Sequence, residues 1–519
     1  MNLEVGRWVR PVAIAAASVF ITSVASIGQV QHEMDARDAA DVAAAGGTTT
    51  TTFGVDGGTG SPATTIAGAA TTLPGAPTGS GPGRTTATAA PLPMLSEDEI
   101  PQFGLRTQGV TDTEVKVGMS YNVAACGDAG TLSAMLGAGV TGDPKKAIDA
   151  FTRHVNDTGG IGGRTMKVVV VDDGGSGCPE KSSAAAVKLA DEEKVFLAIP
   201  GLHVVADYLI ANKVPTFGGR DDPASLAAAG PNGIMLTEAI EPTLEKWTAF
   251  GKHYLDSSNH KPCLIHPESG VSGDWNSHEK IIVAKFEKYG MKFTDIITYQ
   301  DDVSTAQQQA NTISARAKSK GCDQVYFMAV NPIALIFFTQ AATQNLWFPT
   351  WTFTSYMALA DTELAGRLMD QRQWENAIGL STRVPAGEHK MEGNCKEIYD
   401  KYYAGDGQNE SASVQIVCAQ LLSVAEIMRR AVARTGILTS DSLLVGADAV
   451  RNDFFFDATV PLRWSFPEGG PYKTKGFSHF TVVDWSSEQS KYLFPEYPMY
   501  WEVMGEGKAG GQDLRQYFQ

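Results

Sequence analysis

The sequence predicts an α/β protein built from two similar units, each a parallel sheet flanked by helices. Three observations lead there. Runs of Val, Ile and Phe of strand length alternate with stretches of helical periodicity, first from Gly109 and again from Lys261. The strands read as near-continuous apolar runs, as parallel strands covered on both faces do. A chain of 519 residues also exceeds what one hydrophobic core ordinarily organises.

In the first unit, "EVKVGMSYNV" is a strand and "DPKKAIDAFTRHVNDTGG" a helix with a Gly stop. "RTMKVVVVDD" is the next strand, followed by the helix "PEKSSAAAVKLADEEK" with Pro near its start. The run "VFLAIPG", the helix "HVVADYLIANK" and the strand "VPTFGG" complete it. The second unit opens at "KPCLIHPESG" and continues through the helix "NSHEKIIVAKFEKYG" and the strand "FTDIITYQ". The helix "STAQQQANTISARAKSKG", the strand "CDQVYFMAV", the helix "PIALIFFTQAATQNLW" and the strand "PTWTFTSY" follow. Beyond "AIGLSTRVPAG" come two helical stretches, "GNCKEIYDKYYA" and "SASVQIVCAQLLSVAEIMRRAVARTG", and then strand-like "FSHFTVVDW". Two such units suggest a cleft between strand C-termini, where α/β folds bind ligands.

The N-terminal 1–30 places Arg7 and Arg10 before an apolar stretch, with small residues near Ser23, Val24 and Ala25. That is the layout of an export signal, and cleavage is the favoured reading over an uncleaved anchor because the run is short and rich in Ala and Ser. No cysteine precedes Cys126, so no lipid can be attached to a Cys at a processed N-terminus. Residues 31–108, most plainly 38–105, are dominated by Thr, Gly, Pro and Ala; a disordered linker is expected, since such a segment buries too little to offset its backbone entropy. A spacer of this kind gives an uncleaved anchor a purpose.

A net charge of −16 argues against a nucleic-acid partner, which would need clustered Lys and Arg. The glycine-rich "NDTGGIGGRTMKVVVVDDGGSGCPEK" is not a phosphate cradle, because its first glycines precede a strand instead of opening a helix. There is no H-E-x-x-H pattern and no G-x-S-x-G elbow, so no catalytic residues, no metal and no cofactor are assigned. His203, His266 and His278 read as ordinary loop or helix-face residues, and Asp172 and Asp173 as a strand-end turn before they read as catalytic carboxylates.

Six cysteines, none in a C-x-x-C, suit disulfides in an oxidising compartment. The sequential pairing Cys126–Cys178, Cys263–Cys322 and Cys395–Cys418 keeps each bridge inside one unit. Two loops attract attention as ligand contacts. "GGRDDPASL" crowds Arg220, Asp221 and Asp222 at a strand end, either as a surface turn or as groups that fix a polar ligand. "SGVSGDWNSHEK" places Ser272, Asp274 and Trp275 before a helix, where Asp274 can serve as an N-cap and Trp275 can close over a ligand or pack.

"GVTDTEVKVGMSYNV", the glycine-rich stretch from Asn156 to Lys181 and "CLIHPESGVSGDW" together resemble type 1 periplasmic binding proteins of the branched-chain amino acid class, the substrate-binding receptors of ABC transporters. The resemblance runs from about Gly109 to Phe494. It implies two α/β lobes joined by three crossovers, with lobe 1 at 109–240 and 383–455, lobe 2 at 241–382 and 456–505, and a tail at 506–519. It makes the glycine turn lobe 1 scaffold. It also adds Asn331, Ser355 and Tyr356 in lobe 2 to the candidate ligand contacts. The amino-acid anchors of the family are absent here: "AIPGLHVVADY" holds no Ser or Thr, Asp221 stands near the family's threonine, and Ser355 or Tyr356 stands where its acid does. The resemblance implies an exported, extracytoplasmic, monomeric receptor that is not an enzyme. Its ligand would be a small polar organic solute, its partner an ABC permease, and its only tie to a membrane the N-terminal segment. A tethered sensor or cell-envelope interaction protein on the same fold is the alternative.

Overall fold

The computed structural model describes residues 93–513 apart from 122–141, 175–178, 220–229, 231–232, 235–239, 269–274, 301–302, 330–331, 355–359, 384–394, 410, 451–479, 496–498 and 505–507. Residues 1–83 lie outside the described residues, and every strand and helix named here belongs to the unit 84–519.

Strand β1 (Glu114–Tyr121) leads to helix α1 (Pro144–Asp157). Asp143 caps that helix by accepting from Lys145 N, with Pro144 at its first position. Strand β2 (Thr165–Asp172) follows, then α2 (Pro179–Val187), which runs into a π-turn at Lys188–Glu192. Strand β3 (Leu197–Ile199), helix α3 (His203–Ala211) and the short strands β4 (Thr216–Phe217) and β5 (Gly233–Ile234) complete the first sheet. Its order is β2-β1-β3-β4-β5, all parallel.

The turn between α1 and β2 is the glycine stretch, and it is scaffold. Gly160 has φ of +62°, and a Cβ there would come within 2.1 Å of Arg164 O. Asn156 closes the turn by bonding Met166 through both its amide atoms, at 3.0 and 2.8 Å. Its carbonyls face a cation of the protein's own: Arg429 donates to Gly160 O at 2.9 Å and Val155 O at 3.0 Å.

The chain then enters the second sheet through α4 (Ile240–His253). There β6 (Pro262–Pro267), α5 (Trp275–Lys288), β7 (Asp295–Tyr299), α6 (Val303–Lys320) and β8 (Gln324–Phe327) follow in turn. Next come α7 (Pro332–Gln344), β9 (Thr350–Thr354), the short α8 (Glu363–Leu368) and α9 (Gln371–Trp374), and β10 (Ala377–Ser381). A second passage returns to the first lobe with α10 (Cys395–Tyr403), α11 (Ala412–Thr435) and α12 (Ser440–Asp448). Tyr402 and Tyr403 of α10 donate to Asp157 and Asp149 of α1, fixing that return. The third passage leads to β11 (Thr481–Ser486) and β12 (Lys491–Leu493).

The second sheet has the order β12-β11-β10-β9-β8-β6-β7. It is parallel except that β11 runs antiparallel to both β10 and β12. The expected parallel sheet flanked by helices is present, with β11 as an antiparallel addition towards its edge: a four-residue turn joins β11 to β12, and a connection that short can link only antiparallel strands. A hairpin of β13 (Met499–Met504) and β14 (Lys508–Asp513) ends the described chain, carrying regular structure into the expected tail.

Apolar clusters cover both faces of each sheet. Val115, Val117 and Met119 of β1 point with α1 and α11 into one cluster, and Val171, Leu189 and Val205 build the other side of the first sheet. Around the second sheet, Trp351 and Trp374 lie on one face, with Trp247, Trp275 and Tyr326 on the other. Among the described residues no cluster mixes the two sheets, so each lobe has its own core. Among the described residues one bridge lies in each: Cys263–Cys322 in the second lobe and Cys395–Cys418 in the first. Cys126 and Cys178 are outside the described residues.

The linker expected to run to 108 gives way earlier. Leu95 N bonds Arg434 O, Phe103 N bonds Asp441 Oδ1 and Arg106 N bonds Lys213 O, while Ile100 is buried. Residues 95–108 thus form a strap on the first lobe. Among the described residues no helix is long and apolar enough to cross a membrane.

Candidate functional site

The C-terminal ends of strands from both sheets meet at one place, the first turn of α11. Ser411 caps this 24-residue helix by accepting from Val414 N. Two residues on, Ser413 Oγ lies 3.2 Å from Tyr121 Oη at the end of β1. Two further on, Gln415 Oε1 accepts from Arg383 Nη2 at 2.8 Å, just beyond the end of β10. One helical turn therefore touches strand ends of both lobes.

On the first-lobe side β1 alternates faces. Gly118 lies against the π-turn that follows α2, where a Cβ would meet Leu189 at 2.9 Å. Ser120, on the same face, donates to Asp173 Oδ2 at 2.9 Å and accepts from Gly201 N at 2.7 Å. Asp173 is 1% exposed, and through Ser120 the ends of β1, β2 and β3 are joined. Asp172 accepts from Gly174 N and pairs with Lys181 at 3.2 Å. Both carboxylates thus brace the strand ends. Burial raises the Tyr121 phenol above its ordinary range; the bond with Ser413 opposes that and the charge of Asp173 adds to it. Tyr121 therefore presents a neutral hydroxyl at working pH.

On the second-lobe side Ser381 donates to the buried Asp361 at 2.6 Å and accepts from Arg383 N at 2.9 Å. Thr481, at the start of β11, donates to the carbonyls of Ser381 and Arg383 at the end of β10. Burial pushes the Asp361 carboxyl above the ordinary range and outweighs Arg383 and Ser381, which pull it down. On α4, which follows the first passage, Lys246 stands 4.7 Å over the ring of Phe480.

Of the residues expected to contact a ligand, Trp275 alone is described. It is 3% exposed, edge-on to His278 at 5.0 Å and part of the second lobe's core. Of the two roles open to it, the structure shows packing: it opens α5 on the same face as His278, Ile282 and Phe286, all buried. Arg220, Asp221, Asp222, Ser272, Asp274, Asn331, Ser355 and Tyr356 lie outside the described residues. In sequence each follows the end of a strand: β4 for the first three, β6 for Ser272 and Asp274, β8 for Asn331 and β9 for the last two. His266 is buried, with its ring nitrogens against Pro267 O and Glu279, and His203 opens α3. Among the described residues no group of His, Cys, Asp and Glu could hold a metal ion.

Sequence reading missed Tyr121, Arg383, Ser413 and Gln415. The N-cap serine of α11 marks a helix start in the sequence, but nothing local shows that this start abuts two strand ends.

A family model described as periplasmic binding protein matches residues 129–460. No curated protein matches the sequence. Among solved structures, a fatty acid ABC transporter substrate-binding protein from Thermomonospora curvata is 18% identical with a TM-score of 0.50, over 82% of this chain and 98% of its own. The branched-chain amino acid transporter substrate-binding protein LivJ from Streptococcus pneumoniae, in complex with isoleucine, is 15% identical with a TM-score of 0.53, over 77% and 100%. An ABC transporter substrate-binding protein of Aeropyrum pernix is 11% identical with a TM-score of 0.56, over 78% and 99%. At these identities the likeness is one of fold, two α/β lobes, and it agrees with the family match. The chain belongs to the periplasmic binding protein family.

Proposed function

We propose that this protein is an extracytoplasmic receptor that captures a small polar organic solute between its lobes and delivers it to an ABC permease. The observation that carries the reading is the meeting of strand ends from both sheets on the first turn of α11, through Tyr121 and Arg383. Groups from two bodies converge there, so a solute bound between them is enclosed by a hinge motion and needs no covalent step. Two buried bridges suit an oxidising compartment outside the cytoplasm. The lobes are taken as 109–240 with 383–455, and 241–382 with 456–505. Arg220, Asp221 and Asp222 are assigned to face Ser272, Asp274, Asn331, Ser355 and Tyr356 across the cleft. Trp275 supports α5 from behind.

The test is mass spectrometry of small molecules released when natively purified protein is denatured, followed by calorimetry with the compound found. Arg220→Ala and Asp221→Ala should each weaken that compound about tenfold or more, since a charge-assisted hydrogen bond lost in a closed site costs about 1.5–3 kcal/mol. Asp172→Ala is the control, because its carboxylate pairs with Lys181. Unchanged affinity in both loop variants would reduce "GGRDDP" to a surface turn. Turnover of the compound would remove the receptor reading.

A further inference from the structure

We propose that Arg383 is a hinge-positioning residue, whose guanidinium ties the end of β10 to the first turn of α11 and so sets the resting angle between the lobes. This rests on the lobes moving as two bodies, not on which solute they hold.

The backbone of Arg383 belongs to the second lobe. Its N–H donates to Ser381 Oγ at 2.9 Å and its carbonyl accepts from Thr481 Oγ1 at 2.6 Å, so the residue is pinned where two of the three passages leave the second sheet. Its side chain reaches the other way. Nη2 donates to Gln415 Oε1 at 2.8 Å, and Gln415 moves with α11, whose buried face is part of the first lobe's core. Nε stands 3.8 Å from Asp361 Oδ2, a carboxylate 3% exposed that Ser381 holds at 2.6 Å. One planar group is thus fixed at its base and along one edge by the second lobe and bonded at its tip to the first.

That placement differs from an ordinary surface ion pair. A rotation of the lobes about the passages changes the distance between a group fixed to β10 and one fixed to α11, so the bond at 2.8 Å is met over a narrow range of angles. A hydrogen bond with one charged partner biases such an equilibrium by on the order of tenfold. Any solute that favours another angle binds against this bond, and Arg383 enters the binding equilibrium without touching the solute. The Tyr121–Ser413 contact across the same helical turn lies wholly within the first lobe and carries no such bias.

The experiment uses full-length protein freed of bound solute, with spin-labelled non-canonical residues replacing the exposed Lys188 and Lys320, one in each lobe. Pulsed electron paramagnetic resonance then reads the interlobe distance distribution for wild type, Arg383→Met, Gln415→Leu and the double variant. Gln415 is half-buried on a helix surface, so its replacement keeps the fold testable if Arg383→Met melts early. Each single variant should broaden the distribution or move its centre, and the double variant should match either single one, because both remove the same bond. A distribution unchanged by Gln415→Leu would overturn the proposal, as would shifts that add in the double variant. A purely structural role for Arg383 would lower the melting temperature and leave the distances of the folded fraction where they were.

Discussion

Replacing one disulfide at a time should destabilise one lobe at a time. Cys263–Cys322 closes 59 residues of chain within the second lobe, and Cys395–Cys418 closes 23 within the first. Loop-closure entropy assigns about 4 kcal/mol to the longer loop and about 3 kcal/mol to the shorter. All four cysteines are buried, and no described apolar cluster mixes the two sheets, so the loss should fall on the lobe that holds the bridge. The assay is native-state hydrogen exchange followed by mass spectrometry of peptides from β1 and β3 in one lobe and β6 and β8 in the other. At about 1.4 kcal/mol per decade, Cys263→Ala/Cys322→Ala should speed exchange in β6 and β8 by about a thousandfold and leave β1 and β3 within a few-fold of wild type. Cys395→Ala/Cys418→Ala should reverse the pattern with a loss nearer a hundredfold. Equal acceleration in both lobes from either pair would refute the reasoning and show that the three passages fuse the lobes into one cooperative unit.

Two more outcomes are expected at single sites. Arg429→Ala leaves the carbonyls of Gly160 and Val155 without their guanidinium partner, so the chemical-denaturation midpoint should fall by the equivalent of about 2 kcal/mol; an unchanged midpoint would mean that water replaces the arginine at no cost. Asp361 takes up a proton more readily folded than unfolded, because burial outweighs Arg383 and Ser381, so its contribution to stability is full below about pH 3.8 and is lost as pH rises through its raised folded value. The gap in melting temperature by which Asp361→Asn exceeds wild type should narrow as pH falls from 7 towards 4; a gap that widens instead would show that the pair with Arg383 outweighs burial.

What the sequence made legible was local. Periodicity identified the alternation of strand and helix, Asp143 and Pro144 marked the start of α1, and the order of glycines before a strand separated scaffold from phosphate cradle. The sequence left Trp275 open between a ligand contact and packing; the structure decides it by burying Trp275 with His278, Ile282 and Phe286, which lie three, seven and eleven residues on and so share one face of the helix. The strap was hidden by averaging: Ile100 and Phe103 are single apolar residues behind a long Thr- and Gly-rich tract, and the segment is docked by bonds from Leu95, Phe103 and Arg106 N–H groups to Arg434, Asp441 and Lys213, far along the chain.

The hinge was hidden for a stronger reason. Arg383 meets Gln415 across 32 residues and Tyr121 meets Ser413 across 292, so no window on the chain contains both partners. Each of these side chains is ordinary in its own neighbourhood and acquires a role only when the third dimension brings strand ends of both sheets to one helical turn. The loops proposed to hold the ligand combine both difficulties. They are polar segments after strand ends, and a surface turn and a binding loop share that composition because both place Gly, Asp and Ser where the chain must reverse in contact with water. A binding loop differs by what stands opposite it. In a two-lobed protein the opposite wall is set by the resting angle of the hinge, so the interlobe distance measured on Arg383 and Gln415 variants also gives the span that the proposed contacts Arg220 and Asp221 have to bridge.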